Sequence, residues 1–486
     1  MISLTLAEIA GIVGGRLHAT DGRPMVTGSV EFDSRKLTPG GLFLALPGER
    51  VDGHDFAAGA VEAGAAGVLA ARAVDAPSVI VPPLPPGKAH TGSVALTGDS
   101  DGSGAAVLAA LGKLARYVVD VLTEGGLTVV GVTGSSGKTS TKDLIAQLLE
   151  PLGPTVAPPG SFNNELGHPW TALRADETTR HLVLEMSARG PGHIAELATI
   201  APPKVGVVLN VGSAHVGEFG SREGIAKTKG ELVEALPADG LAVLNLDDPL
   251  VSAMASRTRA RIVGVGEHPQ AQVRAEDITL DENARASFRL VTAQGAAPVT
   301  LPLYGEHHVG NALSAAAVAL ELGSTVDEVA ARLSGVQRRS ARRMEVTTRA
   351  DGVTVLNDSY NANPESVRAA LKTLASAGRS RRSWAVLGEM GELGPDSVSA
   401  HDEIGRLAVR LNINRLVVVG EAAAAMHQGA SHEGSWGDES VLVPDTDAAV
   451  ALLREELSPG DIVLVKASKV AELWRVADAL LEEGVA

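Results

Sequence analysis

The chain has 486 residues, too many for a single hydrophobic core, and ordinary domain sizes predict three units. Apolar residues make up 45% and charged residues 21%, as in a soluble globular protein. The 42 basic and 58 acidic residues leave a net charge of −16, which argues against nonspecific binding to nucleic acid or to an anionic membrane. The absence of cysteine excludes disulfides, thiolate zinc sites and cysteine nucleophiles. The opening stretch MISLTLAEIAGIVGG has no basic n-region, and no apolar run reaches about 18 residues. Neither a signal peptide nor membrane insertion is therefore expected, and a cytoplasmic location is.

In chain order, Leu4 to Val13 have helical spacing, and Val26 to Phe32 and Leu42 to Leu46 read as short strands. A helix over Phe56 to Ala63 leads to strands at Gly67 to Leu69 and Val79 to Val81. From Pro82 to Gly104, prolines and glycines read as a linker or surface insertion with a weak strand at Ser93 to Leu96. A helix over 105–122 opens the second unit, whose strands recur at Leu182 to Glu185, Val205 to Asn210, Leu241 to Asn245 and Arg261 to Gly264. Helices at 192–199 and 222–236 alternate with them, predicting a mostly parallel sheet covered on both faces. Short alternating runs over 270–303 predict an antiparallel hairpin addition, and helices at 309–322 and 326–333 close the unit. Beyond Ser340, strands at Val353 to Leu356, Arg382 to Leu387, Arg415 to Val419, Val441 to Leu442 and Asp461 to Val465 alternate with helices at 364–376, 398–411, 446–456 and 470–482. The expected class is α/β in three domains: 1–104, a central phosphate-loop ATPase-type parallel sheet at 105–338, and a Rossmann-like domain at 339–486.

The second unit is built around Val129-Val130-Gly131-Val132-Thr133, then Gly134-Ser135-Ser136-Gly137, then Lys138-Thr139-Ser140 and an amphipathic helix. A buried strand, a glycine turn and a helix N-terminus make an anion site, because backbone N–H groups and the helix dipole converge where glycine lets a phosphate approach. Lys138 is suited to neutralise the β- and γ-phosphates, and the hydroxyl of Thr139 or Ser140 to ligate Mg²⁺. The pattern is the short T-G-x-x-G-K-T form, since Val132 stands where the longer motif has glycine. ATP is the expected ligand.

Polar residues gather where ligands bind in open α/β sheets, beyond the carboxyl ends of strands. Glu185 leaves an apolar strand and needs a cation, either Mg²⁺ or Arg189. Asn210 is followed by His215, which is able to ligate a metal or a phosphate or to sit at the surface. Lys227 and Lys229 face different sides of a helix, leaving one for the site. Asn245 and Asn311 are nucleotide contacts or turn and helix caps. Asp33-Ser34-Arg35 is as readily a surface turn as a phosphate or sugar contact. The segment Asp358 to Pro364 carries more amides than a turn requires.

These residues resemble the Mur ligase family, the ATP-dependent amide-bond ligases of peptidoglycan precursor synthesis. The resemblance runs along the whole chain and rests on Thr133 to Thr139, Glu185, Asn210 with His215, Lys229, Asn245, Arg343 and Asp358. Three segments, Gly160 to Gly167, Glu185 to Gly192 and Asn357 to Pro364, point within it to UDP-N-acetylmuramoyl-tripeptide and D-alanyl-D-alanine as the substrates. Ser187 stands where the family usually has glycine.

The resemblance implies catalytic Lys138, Glu185, His215 and Lys229, and Mg²⁺ ligands Thr139, Glu185, His215 and a carbamylated Lys229. It implies ATP contacts from Gly134 to Ser140 and from Asn245, Asn311, Arg343 and Asp358. Substrate contacts would come from Asp33, Ser34, Arg35, Asn163, Asn164, Tyr360, Asn361 and Asn363. The cofactors would be ATP and Mg²⁺, and the enzyme a monomer with no nucleic-acid partner. The rival readings are another ligase of the family, including the folylpolyglutamate and cyanophycin types, a non-catalytic homologue, and a phosphate-loop GTPase. The last lacks an Asn-Lys-x-Asp motif and a switch aspartate after the loop.

Overall fold

The runs of valine, leucine and isoleucine are too apolar to face water on either side, and they pack as the middle strands of sheets covered by helices. The computed structural model describes residues 1–48, 51–84, 99–212, 216–434 and 437–482. The weak strand expected at Ser93 to Leu96 lies outside these residues, as does His215.

Three large sheets are present among the described residues. The first has the order Arg16–His18, Ser78–Ile80, Gly67–Ala70, Leu42–Leu44, Val30–Glu31, parallel except at its first pair. The strand expected from Val26 to Phe32 is broken: Val26 pairs with Leu4, while Val30 pairs with Leu42. Gly28 sits at the break, where a Cβ would lie 2.5 Å from the carbonyl oxygen of Pro39.

The second sheet runs Gly295–Tyr304, Arg285–Thr292, Val273–Leu280, Arg261–Gly266, Leu241–Asn245, Val205–Val208, Thr128–Thr133, His181–Glu185, Thr155–Val156. Its last seven strands pair in parallel, and the first three form the expected antiparallel addition, continuous with the parallel part. Val130, Val132, Val183, Val207 and Val243 are wholly buried in one core with the helices Lys138–Leu149 and His308–Glu321. The second of these helices turns Ala312, Ala315, Ala316 and Ala319 inward, and such short side chains let it lie close to the sheet. The opposite face of the sheet packs on the 22-residue helix Ser103–Glu124, whose Leu111, Leu114 and Val118 share a core with Leu6, Leu69 and Val79 of the first unit. The boundary expected near residue 104 thus falls at the start of a helix that belongs to both cores.

The third sheet has the order Glu345–Thr348, Thr354–Asn357, Ile462–Lys466, Ser383–Leu387, Arg415–Val419, Ser440–Val443, with only its first pair antiparallel. Two helical expectations change. The stretch 222–236 divides into Arg222–Lys229 and Glu231–Glu234 at Gly230, and the last helix begins at Trp474, after a turn in which Glu472 is left-handed at φ 48°. The helix Ala424–Glu433 has no counterpart in the sequence reading, because its alanine, glycine and serine content draws no apolar stripe. Among the described residues no helix is long and apolar enough to cross a membrane.

Candidate active site between the central and C-terminal sheets

The strand Thr128–Thr133 delivers the glycine loop to the N-terminus of the helix Lys138–Leu149. Gly137 caps that helix at φ 80°, a conformation costly for residues with a Cβ, and a Cβ there would lie 2.6 Å from Oδ1 of Asn311. The loop is held from the side by Asn210, whose Oδ1 accepts from the Ser136 N–H at 2.9 Å and whose Nδ2 donates to the Ser136 carbonyl at 3.2 Å. Ser135 Oγ accepts from the Gly212 N–H at 2.9 Å. The Ser135 and Ser136 N–H groups are both donated to Asn210, so the shape of the loop is fixed by the segment after the neighbouring parallel strand rather than by the loop alone.

Lys138 folds back so that Nζ donates to the Gly134 carbonyl at 2.8 Å. Burial lowers its pKa, the Glu185 carboxylate opposes this, and the Arg343 guanidinium adds to it. Glu185, at the end of its strand and 1% exposed, is the acceptor at the centre of the site. Its Oε2 accepts from Thr139 Oγ1 at 2.9 Å, and its Oε1 accepts from Ser161 Oγ at 3.0 Å and from Asn163 Nδ2 at 2.6 Å. The alternative partner Arg189 is not needed to explain its burial.

Lys229 is buried and Lys227 exposed, which settles which of the two faces the interior. The Lys229 pKa is pushed well below the ordinary value, first by burial and then by the nearby Lys138 ammonium.

The C-terminal domain reaches into the same place. Arg343 Nη2 donates to Thr139 Oγ1 at 3.2 Å, and its guanidinium lies 4.1 Å above the Tyr360 ring. Arg342 and Met344, on either side of it, both have positive φ, 57° and 48°. Such left-handed residues cost about 1 kcal/mol each and persist only where surroundings impose them. One of those surroundings is Asp358, whose Oδ1 accepts from the Met344 N–H at 3.0 Å and whose Oδ2 accepts from the buried Lys466 Nζ at 2.6 Å. Lys466 also donates to the Asn361 carbonyl at 2.9 Å. Asn363 caps the helix Pro364–Ala377 and donates Nδ2 to the Ser135 carbonyl at 3.3 Å, a second link to the phosphate loop.

The remaining sequence candidates divide. Asn245 donates to the Leu209 carbonyl at 2.9 Å and caps its own turn, while Asn311 lies against the loop beside His308. Asn164 accepts from the Gly167 N–H at 2.9 Å, and Ser140 follows Thr139 in the first turn of the loop helix. Asp33-Ser34-Arg35 forms a turn in which Arg35 pairs with Asp33 at 2.9 Å, holding the Asp33 carboxyl down at about 2. The adjacent Phe32 packs on Phe162 and Trp170 of the central domain, with ring centroids 6.5 and 5.9 Å away, and this cluster joins the two candidate substrate segments. Sequence reading gave Ser161 no role beyond its place in the Gly160 to Gly167 segment, did not pair Lys466 with Asp358 and did not single out Trp170. A lysine closing the apolar strand Ile462–Lys466 was the available signal for the second of these.

The sequence matches the Mur ligase family catalytic domain over residues 28–113, the Mur ligase middle domain over 132–319 and the Mur ligase glutamate ligase domain over 342–469. It is 58% identical to the UDP-N-acetylmuramoyl-tripeptide–D-alanyl-D-alanine ligase of Mycobacterium tuberculosis, covering 99% of this chain and 98% of that one. The chain belongs to the Mur ligase family. As a Mur ligase it is also 33% identical to the Escherichia coli enzyme of the same name, with both chains covered in full. Among solved structures it superposes on MurF from Acinetobacter baumannii with a TM-score of 0.83 at 30% identity, covering 99% of each chain. MurF from Thermotoga maritima, solved in complex with ADP, gives a TM-score of 0.76 at 30% identity over 95% of this chain and 98% of that one.

Proposed function

We propose that this Mur ligase joins D-alanyl-D-alanine to UDP-N-acetylmuramoyl-tripeptide in peptidoglycan precursor synthesis, converting ATP to ADP and phosphate. The reading rests on likeness along the full chain to ligases of that name. The tripeptide carboxylate attacks the γ-phosphorus and releases ADP, leaving an acyl phosphate. The dipeptide amine then attacks the acyl carbon, and phosphate departs as the amide forms.

The chain's own groups supply charge and position rather than covalent chemistry. The N–H groups at the N-terminus of the helix Lys138–Leu149 and the Lys138 ammonium meet the phosphates, and Lys138 leaves the Gly134 carbonyl to do so. Arg343, already at Thr139, adds positive charge to the transferred group from the other domain. Asp358 and Lys466 fix the segment that carries Tyr360 and Asn361, and closure of the two domains keeps water from the acyl phosphate.

Thr139 Oγ1 and Glu185 are hard oxygen donors suited to Mg²⁺ beside a phosphate, with His215 assigned to the same set by its motif. By the family resemblance Lys229, buried and near Lys138, would be carbamylated and so supply a second carboxylate. The ion, when bound, would neutralise phosphate oxygens. A substrate linked to UDP and a soluble dipeptide suit a cytoplasmic monomer, and the assignment of Asp33 to Arg35 to the uridine end is supported by their lying beside Phe32, which packs on Phe162 and Trp170 of the central domain.

The test is ADP release with UDP-N-acetylmuramoyl-tripeptide and either D-alanyl-D-alanine or single amino acids. Turnover with the dipeptide is expected. Turnover with a single amino acid and none with the dipeptide would assign the chain to another ligase of the family.

A further inference from the structure

The phosphate-loop helix carries two buried charges one turn beyond Lys138 and Thr139. Lys142 is 1% exposed, and Asp143 beside it is 9% exposed. Charges at this depth are costly unless every donor and acceptor is used, and here they are used to reach two different chain segments. Lys142 Nζ pairs with Asp143 Oδ1 and donates to the Pro158 carbonyl at 2.8 Å, at the start of the loop from which Ser161 and Asn163 grip Glu185. The other oxygen, Asp143 Oδ2, accepts from Ser340 Oγ at 2.6 Å.

Ser340 lies in the only covalent connection between the central and C-terminal sheets, three residues before Arg343. The connection is laid along one face of the helix. Thr139 meets Arg343, Asp143 meets Ser340, and Gln147 exchanges hydrogen bonds with the Gln337 backbone at 2.9 and 2.8 Å. The spacing of four between successive helix residues puts them on one face, so the helix acts as a ruler for the linker. Glu150 adds a forked pair to Arg339.

We propose that Asp143, held by Lys142, is a positioning residue that acts through Ser340 to set Arg343 over the phosphate loop. The nucleotide sits at the N-terminus of this helix, and the arm that completes its site is measured out along the same helix. The position of the C-terminal domain and the aim of the loop are therefore fixed to one element. Apolar packing of the linker would tolerate sliding; a buried carboxylate with a single hydroxyl donor from the linker does not. This inference rests on the ligase reading for its kinetic consequence, and on geometry alone for its consequence in nucleotide binding.

Ser340→Ala deletes the linker bond while leaving Lys142 and Asp143 paired, and it removes only one oxygen from the interior. The expected result is a fall of 5- to 50-fold in kcat with the KM for UDP-N-acetylmuramoyl-tripeptide changed less than twofold, and Ser340→Thr, which keeps the hydroxyl, restores kcat to within about threefold. In an Arg343→Lys background, Ser340→Ala costs less than a further twofold, because both changes act through one group. Thermal unfolding shows each variant folded. Binding of a non-hydrolysable ATP analogue by calorimetry gives the same non-additive pattern without any turnover, so absence of ligase activity in the wild-type chain would overturn the function and not this linkage. Wild-type kcat and analogue affinity in Ser340→Ala, or losses that multiply with those of Arg343→Lys, would overturn the linkage.

Discussion

At the scale of single residues, the site is a set of charges whose states depend on burial. Lys138 is bound to a loop carbonyl at 2.8 Å and has no carboxylate within that bond, so it is free to exchange the carbonyl for a phosphate. Lys138→Ala is expected to lower ADP release about 100-fold or more while leaving the folded state intact, as loss of a preorganised charge at a developing anion does. Burial and then the nearby Lys138 push the pKa of the Lys229 amine well below its ordinary value. Carbamylation of that amine requires dissolved carbon dioxide, so rigorous removal of bicarbonate should reduce turnover several-fold and its return should restore it. Turnover indifferent to bicarbonate would remove Lys229 from the metal set. His168 is fully buried, and burial lowers its pKa from 6.5 to about 4. The unfolded chain binds this proton between those values and the folded chain does not, so the stability it contributes is present above pH 6.5 and is lost as pH falls to 4. Up to about 3 kcal/mol is at stake. Urea unfolding midpoints should fall over that window, and the fall should be shallower in His168→Gln.

At the scale of elements, the strand, loop and helix that hold phosphate were readable because their residue types are dictated by local physics. Valines pack on both faces of a parallel strand, glycine accepts φ 80°, and lysine and threonine open the helix. The amide-rich segment after Asn357 was legible as unusual, but its division of labour was not. Asn363 proves to be a helix cap that also touches Ser135, while Asn361 offers its carbonyl to Lys466. Asn363→Ala is expected to cost about 1 kcal/mol in stability, the ordinary value of an N-cap, and to weaken nucleotide binding as well. A change in stability with unaltered nucleotide affinity would restrict Asn363 to the cap. The helix Ala424–Glu433 escaped the sequence because small residues pack without drawing a periodic stripe.

At the scale of the whole molecule, three sheets are tied by interfaces that composition does not announce. Trp170 of the central domain donates to the Val30 carbonyl at 2.8 Å and packs on Phe32, so three of the few aromatic residues meet where the first unit docks. Trp170→Ala should lower stability by about 3–5 kcal/mol and raise the KM for the UDP-linked substrate more than that for ATP. Equal effects on both would place the cluster outside the substrate path. The long helix Ser103–Glu124 shares the core of both units, which is why a boundary drawn from proline and glycine content fell at its first turn.

The sequence alone determined the α/β alternation, the phosphate loop and the acidic strand end at Glu185, because each depends on residues close together in the chain, and the family resemblance, because it sums such local segments along the chain. Tertiary structure decided which lysine is buried, what grips Glu185 and how Arg343 arrives at Thr139, because these follow from contacts between residues as far apart as 139 and 343. The same contacts show that Asp143 and Ser340, silent in sequence, lie between the loop and the arm that closes on it.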